Sequence, residues 1–422
     1  MSFGALGLCD ELLKAVAELG YSQPSPIQTA AIPAALKQQD IMAIASTGTG
    51  KTAGFTLPVV QLLAGGVLPQ PKHVRALILT PTRELAAQVA ESVKNYSQYM
   101  KLSAAAVFGG VRIEPQKAQL QEGADVLVAT PGRLIDLYNQ QAVSFDQLEI
   151  LVLDEADRML DLGFFEEMSH IQTLLPSKRQ TLLFSATFSK QIKSLGKGML
   201  NNPQLIEVAN EQSKLESIKQ TLHPVDKARK SELLIHLIRK NKWRQILVFS
   251  RTKVGADVLV TQLEKARISA ASIHANRTQH ARTQVLEGFK SGSIKVLVAT
   301  DIASRGIDVN QLPCVVNFDL PYEAEDYIHR IGRTGRAGNS GLAISLFCEE
   351  EAKRLHAIET LIGRKLAGEV VKGFAPKPKA IAHSADDDEY GNFEPDPEPK
   401  GKGKGRGGRS GKSSNKKGNK RR

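Results

Sequence analysis

The sequence of 422 residues is poor in cysteine and has no long apolar run. Cys9, Cys314 and Cys348 lie far apart, form no CxxC pair and are odd in number. They argue against a disulfide framework or a cysteine zinc site and favour a reducing compartment. No stretch approaches the roughly 18 apolar residues that span a bilayer, and no signal peptide is visible at the N-terminus. We therefore expect a cytoplasmic protein without a membrane partner.

The overall composition is typical of a globular protein. Glycine and proline number 34 and 19, and charged residues make up 24% of the chain, which argues against fibrous and wholly disordered classes. The hydrophobic fraction of 41% is sufficient for two or three domains of ordinary size, each with its own core.

The net charge of +12 is concentrated at the C-terminus. Residues 400–422 contain eleven lysines and arginines, no acidic residue and no apolar residue, and the preceding body is close to +1. This composition predicts a disordered tail that binds a polyanion, with nucleic acid the first candidate. A solubilising tail without a specific partner is the alternative.

The body divides into two halves of the same kind. Short apolar runs alternate with amphipathic stretches, which indicates βαβ units and parallel sheets. The pentapeptide Val-Leu-Val-Ala-Thr occurs at 126–130 and again at 296–300, a hint of duplicated domains. Residues 209–220 are polar and lack a strong period, as expected of a linker. The runs lie at 41–45, 76–80, 126–130, 150–154, 181–185, 246–250, 296–300, 315–318 and 342–347.

The first chemical signal is a glycine-rich segment, residues 45–52, which follows the apolar run 41–45 and precedes a predicted helix. In a P-loop, backbone N–H groups and the helix N-terminus bind phosphates, and glycines allow the backbone to approach closely. Lys51 would reach the β- and γ-phosphates, and Thr52 would hold Mg²⁺. Ala45 stands where the strict pattern has glycine, so an ordinary strand-to-helix turn is the alternative.

The second signal is acidic and the third is basic. Asp154 and Glu155 follow the apolar run 150–153, at the strand end where open α/β sheets bind ligands. Asp154 suits a Mg²⁺ shell, and Glu155 suits deprotonation of a water molecule. Residues 327–336 contain four basic side chains spaced by glycines, which could neutralise a transferring phosphoryl group from a second domain.

With these motifs in place, residues 3–370 resemble a DEAD-box ATP-dependent RNA helicase, and among its groups the bacterial RhlE-like type. The carrying segments appear in the family's order: 20–28 with Phe3, 45–52, 81–86, 109–110, 130–133, 154–157, 185–187, 248–252, Gln279 with Arg282, 299–308 and 329–336. The sequence departs from the family pattern at Ser25, at Ala275 and in the Ser-Arg pair before Thr252, and none of these changes removes a catalytic group.

The resemblance implies an α/β fold of two tandem RecA-like parallel-sheet domains joined by a short linker, with a disordered basic C-terminal tail. The first domain, 1–208, would carry ATP binding. A linker at 209–220 and a second domain at 221–370 would follow. The tail would occupy 371–422 and be basic from 400.

It also implies roles for residues at the nucleotide. Glu155, Lys51, Asp154, Arg333 and Arg336 would be catalytic, and Thr52 and Asp154 would hold Mg²⁺, partly through water. Gln28 would pair with the adenine edge, and Tyr21 would stack on the base. The full set expected to bind ATP comprises Phe3, Tyr21, Gln28, Ser46, Thr47, Gly48, Thr49, Gly50, Lys51, Thr52, Asp308, Arg333 and Arg336.

RNA would lie across both domains, contacted through its phosphates and 2′-hydroxyls with little sequence specificity. Asp157, Ser185, Thr187 and His329 would couple the nucleotide site to the domain interface. The expected RNA contacts are Arg83, Gly110, Thr130, Arg133, Thr252, Arg282 and Thr300.

These roles predict RNA-stimulated ATP hydrolysis coupled to local duplex unwinding and remodelling of ribonucleoproteins by a monomeric core. Ribosomal precursors and RNA-decay assemblies are the expected settings. An ATP-gated RNA clamp with little turnover is one alternative, and a DNA-translocating helicase of the same superfamily is another. The presence of Glu155 and Arg336 argues against the first, and the adenine-reading and DEAD motifs argue against the second.

The basic tail lies outside the family motifs, and its composition leads to a separate prediction. Deleting residues 400–422 should weaken RNA capture and leave kcat at saturating RNA nearly unchanged, since no core residue is lost. If about five tail charges contact single-stranded RNA, the slope of log K against log salt should fall by about 3.5, at roughly 0.7 per contact. RNA affinity measured across a salt series checks this, and equal slopes for both proteins would favour a solubilising tail.

Overall fold

Two parallel β-sheets, each with helices on its faces, form the body of the protein and confirm the predicted α/β class. The computed structural model describes residues 2–46, 48–208, 218–304, 312–335 and 341–377. Elements are numbered below in chain order over these residues.

The first sheet has the strand order β3-β4-β2-β5-β6-β1-β7. Its strands are β1 (Ile41–Ile44), β2 (Val74–Leu79), β3 (Ala104–Val107), β4 (Ala124–Ala129), β5 (Ile150–Leu153), β6 (Gln180–Ser185) and β7 (Gln204–Glu207). Its helices are α1 (Asp10–Glu18), α2 (Pro26–Leu36), α3 (Lys51–Leu63), α4 (Arg83–Tyr96), α5 (Glu114–Leu120), α6 (Pro131–Asn139), α7 (Ala156–Asp161), α8 (Phe165–Leu174) and α9 (Lys190–Met199), preceded by a 3₁₀ turn at Phe3–Leu6.

The second sheet has the order β10-β11-β9-β12-β13-β8. Its strands are β8 (Ile218–Pro224), β9 (Ile246–Phe249), β10 (Ala270–Ile273), β11 (Val296–Ala299), β12 (Cys314–Asn317) and β13 (Gly341–Phe347). Its helices are α10 (Lys230–Asn241), α11 (Lys253–Lys265), α12 (Gln279–Lys290), α13 (Asp301–Ser304), α14 (Ala324–Ile331) and α15 (Ala352–Ile362), with 3₁₀ turns at Lys227–Arg229 and Glu349–Glu351.

The central strands are largely apolar because they are covered on both faces, and the charged exceptions Arg75 in β2 and Asp125 in β4 form a buried ion pair at 3.0 Å. Every residue of β2, β4 and β5 is buried, and separate hydrophobic clusters fill the two faces of the first sheet. Such strands read as continuous apolar runs rather than as an alternating pattern. This is why the nine runs seen in the sequence coincide with the inner strands of both sheets.

The four strands that the apolar runs do not reveal are the four edge strands. β3 and β7 lie at the ends of the first sheet, and β10 and β8 at the ends of the second. β3 is half-buried, and β7 has one buried residue in four. An edge strand pairs on one side only, so it buries less side-chain surface and its sequence carries a weaker apolar signal.

The segment after the second sheet packs on the domain, which corrects the predicted start of the tail at residue 371. Val371 is buried, and Phe374 packs against the same core. The Phe374 ring lies 5.4 Å from the His236 ring, and the Arg229 guanidinium lies 4.7 Å from the Phe374 centroid. Residues 378–422, which include the basic tail, lie outside the described residues.

The predicted linker, residues 209–220, ends earlier than expected at its C-terminal side. β8 begins at Ile218, so residues 218–220 form part of a strand that pairs in parallel with β13. Residues 209–217 lie outside the described residues. Within the described ranges, no helix has the length and apolar character that crossing a membrane requires.

A buried arginine joins the elements of the second domain. Arg330 on α14 is 2% exposed, and its guanidinium donates to both carboxylate oxygens of Asp301, at 2.6 and 2.7 Å. A third nitrogen donates to the Asn317 side chain at 3.0 Å and to the Asp319 carbonyl at 2.6 Å. The sequence presents Arg330 as one of four basic residues of a candidate phosphate-binding segment, but its hydrogen-bonding groups serve the fold.

Replacing Arg330 by methionine should therefore destabilise the second domain. The change leaves Asp301 without its buried cationic partner, and breaking such a pair costs about 3–5 kcal/mol. Urea unfolding followed by the fluorescence of Trp243, the chain's one tryptophan, reports on this domain. Arg277→Met removes a surface pair with Asp257 and should cost about 1 kcal/mol or less. Equal midpoints for the two variants would contradict the structural role of Arg330.

Candidate active site

The glycine-rich loop after β1 has the backbone of a phosphate-binding turn. Gly48 and Gly50 have φ of 73° and 89°, in the left-handed region that suits glycine. Lys51 begins α3, and its buried ammonium donates to the Ala45 carbonyl at 2.8 Å, back across the loop. The Thr49 hydroxyl donates to the Ser46 carbonyl at 2.8 Å. The loop therefore curves around the Lys51 side chain in front of the N-terminus of α3. Thr47, another predicted ligand, lies outside the described residues.

Gln28 connects this loop to α2. Its side-chain oxygen accepts from the Ser25 N–H at 2.8 Å as part of the cap of α2, and its side-chain nitrogen donates to the Gly50 carbonyl at 3.1 Å. A Cβ at position 50 would lie 2.4 Å from that nitrogen, so glycine is needed there for space as well as for φ. The carboxamide still has a second hydrogen and a second lone pair for a base edge.

Phe3 and Tyr21, both N-terminal to Gln28, form an aromatic pair. The rings of Phe3 and Tyr21 are stacked with centroids 6.4 Å apart and an interplanar angle of 24°. The Tyr21 hydroxyl lies 3.2 Å from the hydroxyl of Tyr96. Tyr21 is 42% exposed, whereas Phe3 is 6% exposed. Tyr21 thus exposes part of its side chain to solvent, and the buried Phe3 ring packs against it.

The acidic pair follows β5 at the same edge of the sheet. Asp154 is buried, and burial raises its pKa to about 7, with the Glu155 charge adding to the rise and the Lys51 charge opposing it. A cation bound at this carboxylate would favour the charged form. Glu155 has φ of 51° and ψ of 51°, a left-handed conformation that costs energy in a residue other than glycine. The residue types of the sequence motif do not indicate this strained backbone conformation.

Three of the four predicted coupling residues lie together. Asp157 accepts from the N–H groups of Ala186 and Thr187, both at 3.0 Å, with one carboxylate oxygen. Its other oxygen accepts from the Arg158 N–H at 3.0 Å. The Ser185 hydroxyl donates to the Thr187 carbonyl at 2.9 Å. The acidic motif after β5 is thereby tied to the turn after β6.

His329, the fourth coupling residue, comes to this region from the second domain. It lines a cavity of about 730 Å³ together with Asp157, Thr187 and Thr300. Arg333 follows α14 and is half-buried. Asp308 and Arg336, two further predicted ligands of the nucleotide, lie outside the described residues.

The expected RNA contacts of the first domain lie after β2, β3 and β4. Gly110 has φ of 76°, and a Cβ there would lie 2.1 Å from the Arg83 guanidinium. Arg133 donates to the Val111 carbonyl at 3.0 Å, while its Nε and Nη1 are buried without a hydrogen-bond partner. Thr130 is buried at the start of α6. Arg83 and Arg133 thus flank the loop that carries Gly110.

In the second domain, Thr252 and Thr300 follow β9 and β11. The Thr252 side chain accepts from the Gly255 N–H at 2.9 Å and caps the N-terminus of α11. Arg282 is buried instead of presented to solvent, and it pairs across the domains with Glu84 at 3.0 Å. Gln279 also donates to Glu84, at 3.0 Å. Arg282 therefore bridges the two domains in this structure, and its contact with RNA stays a prediction.

Comparison with known proteins agrees with this geometry. The family model described as DEAD/DEAH box helicase matches residues 25–195, and the helicase conserved C-terminal domain matches residues 229–338. The ATP-dependent RNA helicase RhlB of Pseudomonas syringae is 39% identical over 373 residues, which cover 87% of this chain and 94% of the relative. The DEAD-box ATP-dependent RNA helicase CshA of Geobacillus kaustophilus is 39% identical, over 86% of this chain and 77% of the relative.

Solved structures are similar over the same region. Dbp5 of S. cerevisiae, bound to RNA and ADP BeF3, has a TM-score of 0.79 at 31% identity and covers 87% of this chain and 95% of its own. Mss116p, bound to ssRNA and AMP-PNP, has a TM-score of 0.78 at 27% identity, with coverage of 88% and 78%. Sequence, family models and fold agree, and the chain belongs to the DEAD-box family of ATP-dependent RNA helicases.

Proposed function

We propose that this protein is an RNA-stimulated ATPase whose two domains together bend bound RNA and open a few base pairs. The order of strands is the observation that carries the proposal. In the first sheet the nucleotide and coupling candidates follow β5, β6 and β1, which are neighbours, and the RNA candidates follow β3, β4 and β2, which are also neighbours. The two groups therefore occupy adjacent halves of one sheet edge.

On the nucleotide side, the loop at 45–50 and Lys51 would bind the phosphates, and Gln28 and Tyr21 would select and cover adenine. Glu155 would accept a proton from the attacking water, for which its position one residue beyond the buried Asp154 is suitable. Arg333 and Arg336 would stabilise the charge on the γ-phosphate from the second domain. Asp308 would hydrogen-bond the ribose.

Mg²⁺ fits the donors that this site offers. The described residues contain no cluster of three or more His, Cys, Asp or Glu side chains that could hold a metal ion. A nucleotide-bound Mg²⁺ needs only one or two protein ligands, since phosphates and water complete its shell. The Thr52 hydroxyl and the Asp154 carboxylate would supply these ligands. When bound, the ion would neutralise the charge that develops on the phosphates.

On the RNA side, contacts to phosphates and 2′-hydroxyls would hold one strand across both domains. Such contacts carry little sequence information, so substrate choice would come from RNA structure or from partners. A strand held in a bent path cannot remain in a regular A-form duplex. Asp157, which binds the backbone between Ser185 and Thr187, is suited to relay the state of the nucleotide to this interface.

The proposal extends to the cellular compartment, the oligomeric state and the RNA processes that the protein serves. A cytoplasmic monomer that acts on ribosomal precursors or in RNA decay suits an RNA helicase with little sequence preference. Assignment to the RhlE-like group remains a prediction from the motifs, and the relatives compared above carry the names RhlB and CshA.

Glu155→Gln tests the chemistry. The amide keeps the size of the side chain but cannot accept the proton, so we expect turnover to fall by about 10²-fold or more while ATP and RNA still bind. Phosphate release with and without RNA measures this, and Glu166→Gln, on the exposed face of α8, is the matched control. Wild-type protein that hydrolyses ATP no faster with RNA would support the clamp alternative instead.

Gln28→Ala tests base recognition. Loss of the carboxamide leaves the adenine edge unpaired at a cost of roughly 1–3 kcal/mol, so the KM for ATP should rise and discrimination against GTP should weaken. Loss of the bond to Gly50 alone would raise both KM values together, because that bond contacts no base. An unchanged ratio of ATP to GTP specificity would therefore argue against adenine reading.

A further inference from the structure

An ion pair joins the two domains beside the candidate active site. Both terminal nitrogens of Arg158 on α7 lie 3.4 Å from one carboxylate oxygen of Asp326 on α14. The two residues are 168 positions apart in the sequence, with Arg158 in the first domain and Asp326 in the second. No motif argument singles out either side chain for this contact.

The pair is held in a sheltered position. The Arg158 side chain is 6% exposed and that of Asp326 is 14% exposed. Asp161, one turn along α7, accepts a hydrogen bond from the Arg158 guanidinium at 2.8 Å and so restricts its orientation. A prepositioned, poorly solvated cation loses little entropy when a second carboxylate approaches and is weakly screened by salt.

The two helices that the pair connects carry the candidate catalytic groups. Arg158 follows Asp157 directly and lies three residues after Glu155, at the start of α7. Asp326 lies in the first turn of α14, three residues before His329 and seven before Arg333. The pair therefore ties the helix that begins at the general base to the helix that leads to the arginines.

We propose that Arg158 and Asp326 form a positioning ion pair that stabilises the closed arrangement of the two domains and sets the approach of Arg333 to the nucleotide. The inference rests on the proposed function, because it assigns the pair a part in the coupling of ATP and RNA binding. It is separate from the contact of Glu84 with Gln279 and Arg282, which joins α4 to α12.

The experiment measures coupling between the two ligands in the full-length chain. The Kd for a single-stranded RNA is determined with and without AMP-PNP, and the ratio is the coupling factor. Asp326→Arg places two cations together and should lower this factor by about tenfold, within the range typical of coupling between sites. The affinity for RNA without nucleotide and the affinity for AMP-PNP without RNA should remain within about twofold of the wild-type values. Binding of either ligand alone does not require the two domains to close.

Glu325→Arg is the matched control. Glu325 is exposed and shares the first turn of α14, so its replacement makes the same charge change at the same helix terminus without touching Arg158. Its coupling factor should stay close to that of the wild type. The double variant R158E/D326R restores opposite charges and should recover most of the coupling, which a merely structural defect would not do. Asp326→Asn serves if D326R does not fold.

The outcomes separate the pair from the wider proposal. Wild-type protein that binds RNA equally well with and without AMP-PNP would overturn the proposed function itself. A coupled wild type with unchanged coupling in D326R or D326N, or no recovery in R158E/D326R, would overturn the role of the ion pair alone. Equal losses in E325R and D326R would assign the effect to the charge of the helix terminus and would likewise overturn it.

Discussion

The parallel direction of every strand is the constraint on which the rest of the structure depends. Because all strands of a sheet run the same way, each loop that follows a strand leaves at the same edge. The glycine-rich loop, the acidic pair and the Ser185 turn follow β1, β5 and β6, which are neighbours in the sheet but lie far apart in the sequence. If one of these strands ran in the opposite direction, the loop after it would leave at the other edge of the sheet and its residues would lie far from the rest of the candidate site.

The same constraint organises the second domain. Thr252 and Thr300 follow β9 and β11, which lie in one half of the sheet, and α14 with His329 follows β12 in the other. The repeated pentapeptide occupies β4 and β11, each the second strand of its sheet, and leads to Thr130 and Thr300. The two domains thus share one plan, in which the proposed RNA contacts follow strands in one half of the sheet and the proposed nucleotide and coupling residues follow strands in the other.

Buried charge makes the junction between these halves costly to disturb. Asp154, Asp157 and Arg330 are all nearly inaccessible to water, and each of the last two makes at least three hydrogen bonds. A buried charge is tolerated only when its partners are in place, so these groups fix the geometry of the loops around them. Glu155 adds a strained backbone at the residue expected to handle the proton, a feature typical of active sites.

The sequence by itself determined the fold class, the inner strands of both sheets and the residue types of the candidate site. Inner strands are buried on both faces and are therefore largely apolar, and a phosphate-binding turn requires glycines and a lysine at fixed spacing, so both can be recognised from the local sequence. Tertiary structure alone decided the edge strands, the packing of Phe374, the bridge of Arg282 to Glu84 and the pairing of Arg158 with Asp326. These features depend on contacts between residues distant in the chain, and a charged or aromatic side chain reads alike in sequence whether it faces solvent, a ligand or another domain.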